Sequence, residues 1–220
     1  MNDTVTPPDA LMVLGSRCPH CPTVLQGLSE LIKQGRIGRL EVINLEQRPD
    51  LAEELGIRAV PWVRLGPFEL EGLRSPAELR QWAERAGSTE GLAEYFQELL
   101  KEGKLQQVVD HIRRDPPALK GLLLPLADSQ AELQVRLGIG AVMEDLAGSE
   151  ALQAGVADLG ELTRHEQALV RNDACHYLGM SASPEAVPYL RARLEDSDPG
   201  VVEVAQEALD QLNDAGITLH

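Results

Sequence analysis

Two cysteines separated by two residues, Cys18-Pro19-His20-Cys21, are the part of this 220-residue chain whose types and spacing can do redox chemistry. Such a pair at the start of a helix puts both sulfurs on one turn, where they can close into a disulfide or open to a dithiol. A helix N-terminus offers unpaired backbone N–H groups and the positive end of the dipole, and both favour thiolate over thiol. Cys18, the N-terminal and more exposed of the two, is the expected nucleophile, and Cys21, one turn inside, the resolving thiol. His20 and Arg17 can place positive charge beside the thiolate. Stabilising the reduced form in this way makes the disulfide a stronger oxidant. Pro19 and His20 suit a helix start rather than a core. The same pair is also half of a zinc site, but a structural site needs four ligands. The rest of the chain offers one more cysteine, Cys175, and scattered histidines without a second pair, so neither metal nor cofactor is expected.

A motif of this kind works only if a strand delivers the chain to it and a helix leaves from it. Ala10-Leu11-Met12-Val13-Leu14-Gly15 is a continuous apolar run, the pattern of a strand buried on both faces. After the cysteines, Val24, Leu25, Leu28, Leu31 and Ile32 form one helical stripe that Gly35 ends. Leu40-Glu41-Val42-Ile43-Asn44-Leu45 reads as a second strand, and Pro49 opens a short helix through Leu55 that Gly56 closes. Trp62-Val63-Arg64-Leu65 and Phe68-Glu69-Leu70-Glu71 read as strands joined by a tight Gly66-Pro67 hairpin. A last helix starts with Ser75 as N-cap, Pro76 at the first position and Glu78 completing a capping box; Leu79, Trp82, Ala83 and Ala86 are its buried face. The order is β-α-β-α-β-β-α.

This arrangement, with Cys18-Pro19-His20-Cys21 after the first strand and Ala59-Val60-Pro61 before the hairpin, resembles the thioredoxin fold over residues 10–87. The tetrad is the one found in the bacterial periplasmic dithiol oxidases. The stretches from Ser16 to Pro22 and from Leu51 to Pro61 more closely resemble the glutaredoxin-like protein disulfide oxidoreductases and the redox domain of bacterial peroxiredoxin reductases. The resemblance implies a protein disulfide oxidoreductase whose substrates are protein thiols or disulfides. It also implies that Pro61 is cis and packs against the active disulfide, with Val60 presenting its backbone to a substrate peptide. Arg17 and Trp62 complete the candidate substrate contacts. Three departures stand out: the family's buried acid of the first strand is Met12 here, its usual Trp before the first cysteine is Arg17, and a small polar residue after the proline is Trp62. Deprotonation of Cys21 then needs water or another base, and a dedicated partner is expected over broad disulfide reduction.

After Gly87 no strand pattern survives. Leu92, Tyr95, Phe96, Leu99 and Leu100 mark a helix that Gly103 ends, and helical segments start again near Lys104, Pro116, Gln130, Glu150, Gln167, Pro184 and Pro199, the last two with Ser183 and Asp198 as cap signals. Val135, Ile139 and Met143 align with Val170, Ala174 and Leu178, and these with Val201, Ala205 and Leu209, each an i, i+4, i+8 stripe. Val170-Arg171, Ala174, Leu178-Gly179, Pro184-Glu185-Ala186-Val187 and Leu194-Glu195-Asp196 resemble HEAT-type repeats of the short variety seen in phycobilisome lyase-like proteins. The resemblance implies a scaffold with a partner-binding surface and carries no lyase activity. Cys175 sits in a repeat stripe as a small buried hydrophobe, Gly138-Ile139-Gly140 reads as close helix packing, and His111, His165 and His220 read as surface histidines.

The expected organisation is a disordered tail over residues 1–9, an α/β thioredoxin-like redox domain over 10–87, an all-α HEAT-repeat solenoid over 88–213 and a tail over 214–220. Residues 1–87 hold 10 Lys/Arg and 12 Asp/Glu while residues 88–220 hold 10 and 23, so most of the net charge of −15 belongs to the second half. A surface of that sign repels phosphate backbones and anionic lipid, and seven aromatic residues make no stacking platform, so neither nucleic acid nor membrane is an expected partner. It fits a basic or amphipathic client, with homodimerisation through the last repeat as the competing use. The first nine residues carry acids and prolines where a signal peptide carries a basic patch and an apolar stretch, so a cytoplasmic location is expected. Two function classes follow: an oxidoreductase whose helical half selects substrates, and an interaction or chaperone-like adaptor in which the first half mainly docks.

Overall fold

Met12 and Val13 face opposite sides of one strand, and both are fully buried. The strand they belong to, β1 (Ala10–Leu14), is therefore central in its sheet and covered on both faces. The computed structural model describes residues 6–218; the remaining expected-tail residues, with His220, lie outside the described residues. β1 pairs in parallel with β2 (Leu40–Asn44) and antiparallel with β3 (Trp62–Leu65), which pairs antiparallel with β4 (Phe68–Glu71), giving the order β2-β1-β3-β4. β2 is an edge strand, and Glu41 and Val42 on it are exposed.

Helix α1 (Cys21–Lys33) buries Val24, Leu28 and Leu31, and α2 (Pro49–Glu54) is short and half-exposed. Helix α3 (Pro76–Arg85) packs on α1 so closely that a Cβ on Gly27 would lie 2.8 Å from Leu79 Cδ1. The N-terminus of α3 is fixed as its sequence dictates. Ser75 Oγ accepts from Glu78 N–H at 3.2 Å, and Glu78 Oε2 accepts from Ser75 N–H at 2.7 Å. These bonds hold the Glu78 carboxyl below the usual carboxylate range. Gly66 in the hairpin has φ +56°, a conformation that favours glycine, and a Cβ there would also crowd Pro8 and Ala86. Its N–H donates to the Asp9 carbonyl and Gly38 N–H to that of Pro8, so the last two residues of the expected tail are tied to the strands.

The chain divides into two compact units between Leu92 and Ala93, inside α4 (Thr89–Lys101). Among its described residues the second unit contains helices and no strand. It continues with α5 (Leu105–Arg114), a 3-10 turn (Pro116–Leu119), α6 (Lys120–Ala127) and α7 (Leu133–Asp145). Next come α8 (Glu150–Ala154), α9 (Val156–Leu162), α10 (Ala168–Met180), a second 3-10 turn (Pro184–Ala186), α11 (Val187–Arg191) and α12 (Pro199–Asp214). The segment expected near Glu150 is two helices because the chain breaks step at Gly155, where a Cβ would strike Leu119. All nine residues of the three aligned stripes are buried. α10 and α12 approach closely: a Cβ on Gly179 would lie 2.9 Å from the Ala208 backbone. Asp198 Oδ1 accepts from Gly200 N–H and Ser183 Oγ from Glu185 N–H, the caps expected at those junctions. Among the described residues, no helix is long and apolar enough to cross a membrane.

One polar clip ties this unit together. Arg171 on α10 donates Nε and Nη2 to the two oxygens of Asp196 at 3.0 and 2.6 Å, and Nη1 to the carbonyls of His165 and Glu166. The side chains are 10% and 3% exposed. The Arg171 bonds hold the Asp196 carboxyl below its ordinary range. Arg171→Ala is expected to destabilise the protein by about 2–3 kcal/mol, read as a lower urea midpoint at neutral pH. A carboxylate depressed in the folded state contributes fully above its unfolded value, near 4. The difference between wild type and Arg171→Ala should therefore shrink as pH falls through the folded value of Asp196.

Candidate functional site

β1 ends at Leu14, whose carbonyl accepts from Leu45 N–H at 2.8 Å, so the strand end and the exit of β2 are held level. The chain then turns, with Cys18 N–H donating to the Gly15 carbonyl at 3.2 Å, and enters α1 at Cys21. Cys18 and Cys21 are disulfide-bonded with their Cα atoms 5.5 Å apart. Cys21 is 3% exposed, while Cys18 is half-buried and reaches the surface. The N–H of Cys21 donates to Cys18 Sγ at 3.2 Å. Any negative charge developing on that sulfur meets this donor and the positive end of α1.

The opposite wall is the segment before β3. The Val60–Pro61 peptide bond is cis, as the resemblance implied, and the Val60 carbonyl oxygen lies 3.6 Å from Cys18 Sγ. Pro61 is buried, and its carbonyl accepts from Gly72 N–H at 2.8 Å, with Leu73 beyond it 51% exposed. The fold thus brings Cys18, Cys21, Val60 and Pro61 together. Arg17, Pro19 and His20 are exposed around them. His20 takes the N-cap position of α1 with no side-chain cap bond, and its carbonyl accepts from Val24 N–H. Trp62 behaves differently from the expected surface contact: it is 2% exposed, paired with Val13 and Glu71 inside the sheet. It supports the wall from within because β3 lies between β1 and β4 and is covered on both faces, Val63 beside it being buried too. Met12, at the position of the family's buried acid, is fully buried and apolar.

Sequence reasoning passed over Ser16, Asn44 and Glu46. Glu46 accepts from the backbone and hydroxyl of Ser16, and Asn44 donates to that hydroxyl. The signal for them was the change from apolar to polar where β2 ends beside the motif. In the second unit Cys175 is fully buried, and burial pushes its thiol up to about 11. His111 corrects an expectation of exposure: it is 7% exposed and packs edge-to-face with Phe96, ring centroids 5.2 Å apart, one turn from Val108 on the buried stripe of α5. His165 is half-buried and its Nδ1 accepts from Gln167 N–H. A Cβ on Gly138 would press on Leu100, so that glycine serves helix packing. Among the described residues, no group of three or more His, Cys, Asp or Glu could hold a metal ion.

Compared with known families, residues 10–84 match the thioredoxin domain and residues 119–210 match HEAT repeats. No curated protein matches the chain. The architecture is a thioredoxin-like α/β fold followed by an all-helical region with HEAT repeats. After reduction, Cys18 is expected to alkylate with a midpoint below the free-thiol value of about 8.5, ahead of Cys21. Cys175 should stay unmodified at pH 8 until the protein unfolds. Peptide mapping after timed alkylation across pH checks all three.

Proposed function

We propose that this chain is a thiol:disulfide oxidoreductase in which the Cys18–Cys21 pair exchanges with protein substrates and the helical repeats select them. The observation that carries the reading is the disulfide itself, seated at the start of α1 with Cys18 half-exposed and Cys21 covered. In the oxidising direction a substrate thiolate attacks Cys18 Sγ, the Cys18–Cys21 bond breaks, and the electron pair leaves with Cys21 sulfur. A second substrate thiolate then attacks the mixed disulfide, forming the substrate disulfide and releasing Cys18 as thiolate. Reduction runs the same steps backward, with Cys18 attacking and Cys21 resolving. The Cys21 N–H stabilises the Cys18 sulfur whenever it carries charge. Arg17 and His20 add positive charge nearby, Pro19 shapes the turn, and Val60 offers its backbone to the substrate peptide beside Pro61.

The resemblance of the tetrad and of Ser16 to Pro22 to the dithiol oxidases and glutaredoxin-like oxidoreductases supports this reading, as does the match to the thioredoxin domain. We read the repeats as the short, phycobilisome lyase-like variety serving as a scaffold. Their acidity suits a basic, amphipathic client, and Leu133 and Leu137, one turn apart on α7, are 71% and 66% exposed where such a client could rest. A cytoplasmic site of action accords with this pairing, and a second copy of the chain is the competing occupant of the repeats.

Cys21→Ser is expected to trap clients as mixed disulfides on Cys18, because the thiol that resolves them is gone. Cys18→Ser should trap none, and Cys175→Ser combined with Cys21→Ser should trap as well as Cys21→Ser alone. Trapping should slow several-fold between low salt and about 0.5 M salt as the charge attraction is screened. Non-reducing gels with mass spectrometry read all of these. Client binding that persists unchanged without Cys18, with no mixed disulfide in any variant, would favour the adaptor instead.

A further inference from the structure

Four hydrogen bonds close a ring beside the dithiol. Ser16 N–H donates to Glu46 Oε1 at 3.0 Å, and the Ser16 hydroxyl donates to Glu46 Oε2. Asn44 Nδ2 donates to Ser16 Oγ at 3.0 Å, and Glu46 N–H donates to Asn44 Oδ1 at 2.9 Å. The ring joins the end of β2 to the loop between β1 and α1, two residues before Cys18. It also carries charge close to the sulfur. The position a Cβ would take on Gly15 is 4.0 Å from Cys18 Cβ and 4.0 Å from Glu46 Oε1, which places that carboxylate oxygen within about 8 Å of the Cys18 Cβ. Arg17 and His20 flank Cys18 on its own loop, and Cys21 is its disulfide partner.

We propose that Glu46 is a positioning residue for the dithiol: it fixes the loop that carries Cys18, and its negative charge opposes formation of the Cys18 thiolate. The inference rests on the reading of Cys18 as the nucleophile. The helix terminus and the neighbouring Arg17 pull the thiol toward ionisation, and Glu46 pulls the other way. Two unit charges about 8 Å apart, at an effective dielectric between that of protein and that of water, move a pKa by about 0.5–1.5 units. A thiolate held higher leaves the disulfide more stable relative to the dithiol. Glu46 thereby makes the pair more reducing than its helix terminus alone would.

Glu46→Gln in the full chain keeps the shape and one acceptor oxygen while removing the charge. Its Cys18 alkylation midpoint should fall by about 0.5–1.5 pH units, and its equilibrium with glutathione should shift about three- to tenfold toward the dithiol. Glu46→Asp, which retains the charge, should stay within a few tenths of a unit of wild type, roughly the resolution of the measurement. Circular dichroism and thermal melting check that both variants are folded; Glu46 is exposed and outside the core. A depressed wild-type midpoint that Glu46→Gln leaves unmoved overturns the role of Glu46 alone. An equal drop in both variants overturns the part assigned to its charge. A wild-type Cys18 without a depressed midpoint overturns this proposal together with the assignment of the nucleophile.

Discussion

The N–H of Cys21 pointing at the Cys18 sulfur, 3.2 Å away, is the contact around which the first unit is organised. It exists only if α1 begins at Cys21 and the chain arrives from β1 at the right height. Pairing of β1 on both edges fixes the arrival, with Met12 held opposite Val42 of β2 on one side and Val63 of β3 on the other. Close packing of Gly27 on Leu79 fixes the departure, since α1 can be set against α3 at that distance only where no side chain intervenes. The capping box on Ser75 then secures α3 itself. Few of these contacts are chemical in purpose, yet each sets the place of a sulfur.

The helical unit relies on a different device. Its apolar stripes repeat, so hydrophobic burial alone would tolerate alternative pairings of similar helices. The Arg171 clip to Asp196 and to the carbonyls of His165 and Glu166 is not interchangeable in this way, because a bidentate guanidinium requires its carboxylate at one height and one angle. Gly179 against Ala208 has the same selective effect through sterics. Apolar area supplies the stability of the array, and these contacts choose which neighbours meet.

What could be read from the sequence was what is local or periodic. The order of strands and helices in the first half, the Ser75 box, the Asp198 and Ser183 caps and the three aligned stripes all depend on residues a few positions apart, and all are present. The pairing of Val60–Pro61 with the cysteines was legible through family resemblance, since 42 residues separate Cys18 from Val60. The rest needed packing. His111 carries a polar side chain at an apolar position of α5, and only the neighbouring Phe96 shows that the ring is covered. Trp62 follows the critical proline in sequence, but β3 lies inside the sheet with both faces covered. Ser16 and Glu46 are 30 residues apart, and no local pattern announces that they touch.

The unequal exposure of the two sulfurs has a regiochemical meaning. With Cys21 at 3% exposure, an incoming macromolecular thiol can reach only Cys18, so the leaving sulfur in that attack is always the buried one. Cys175, sealed in the helical unit, cannot enter as an alternative acceptor while the fold persists. The covalent intermediate of the proposed reaction is thereby one isomer rather than a mixture.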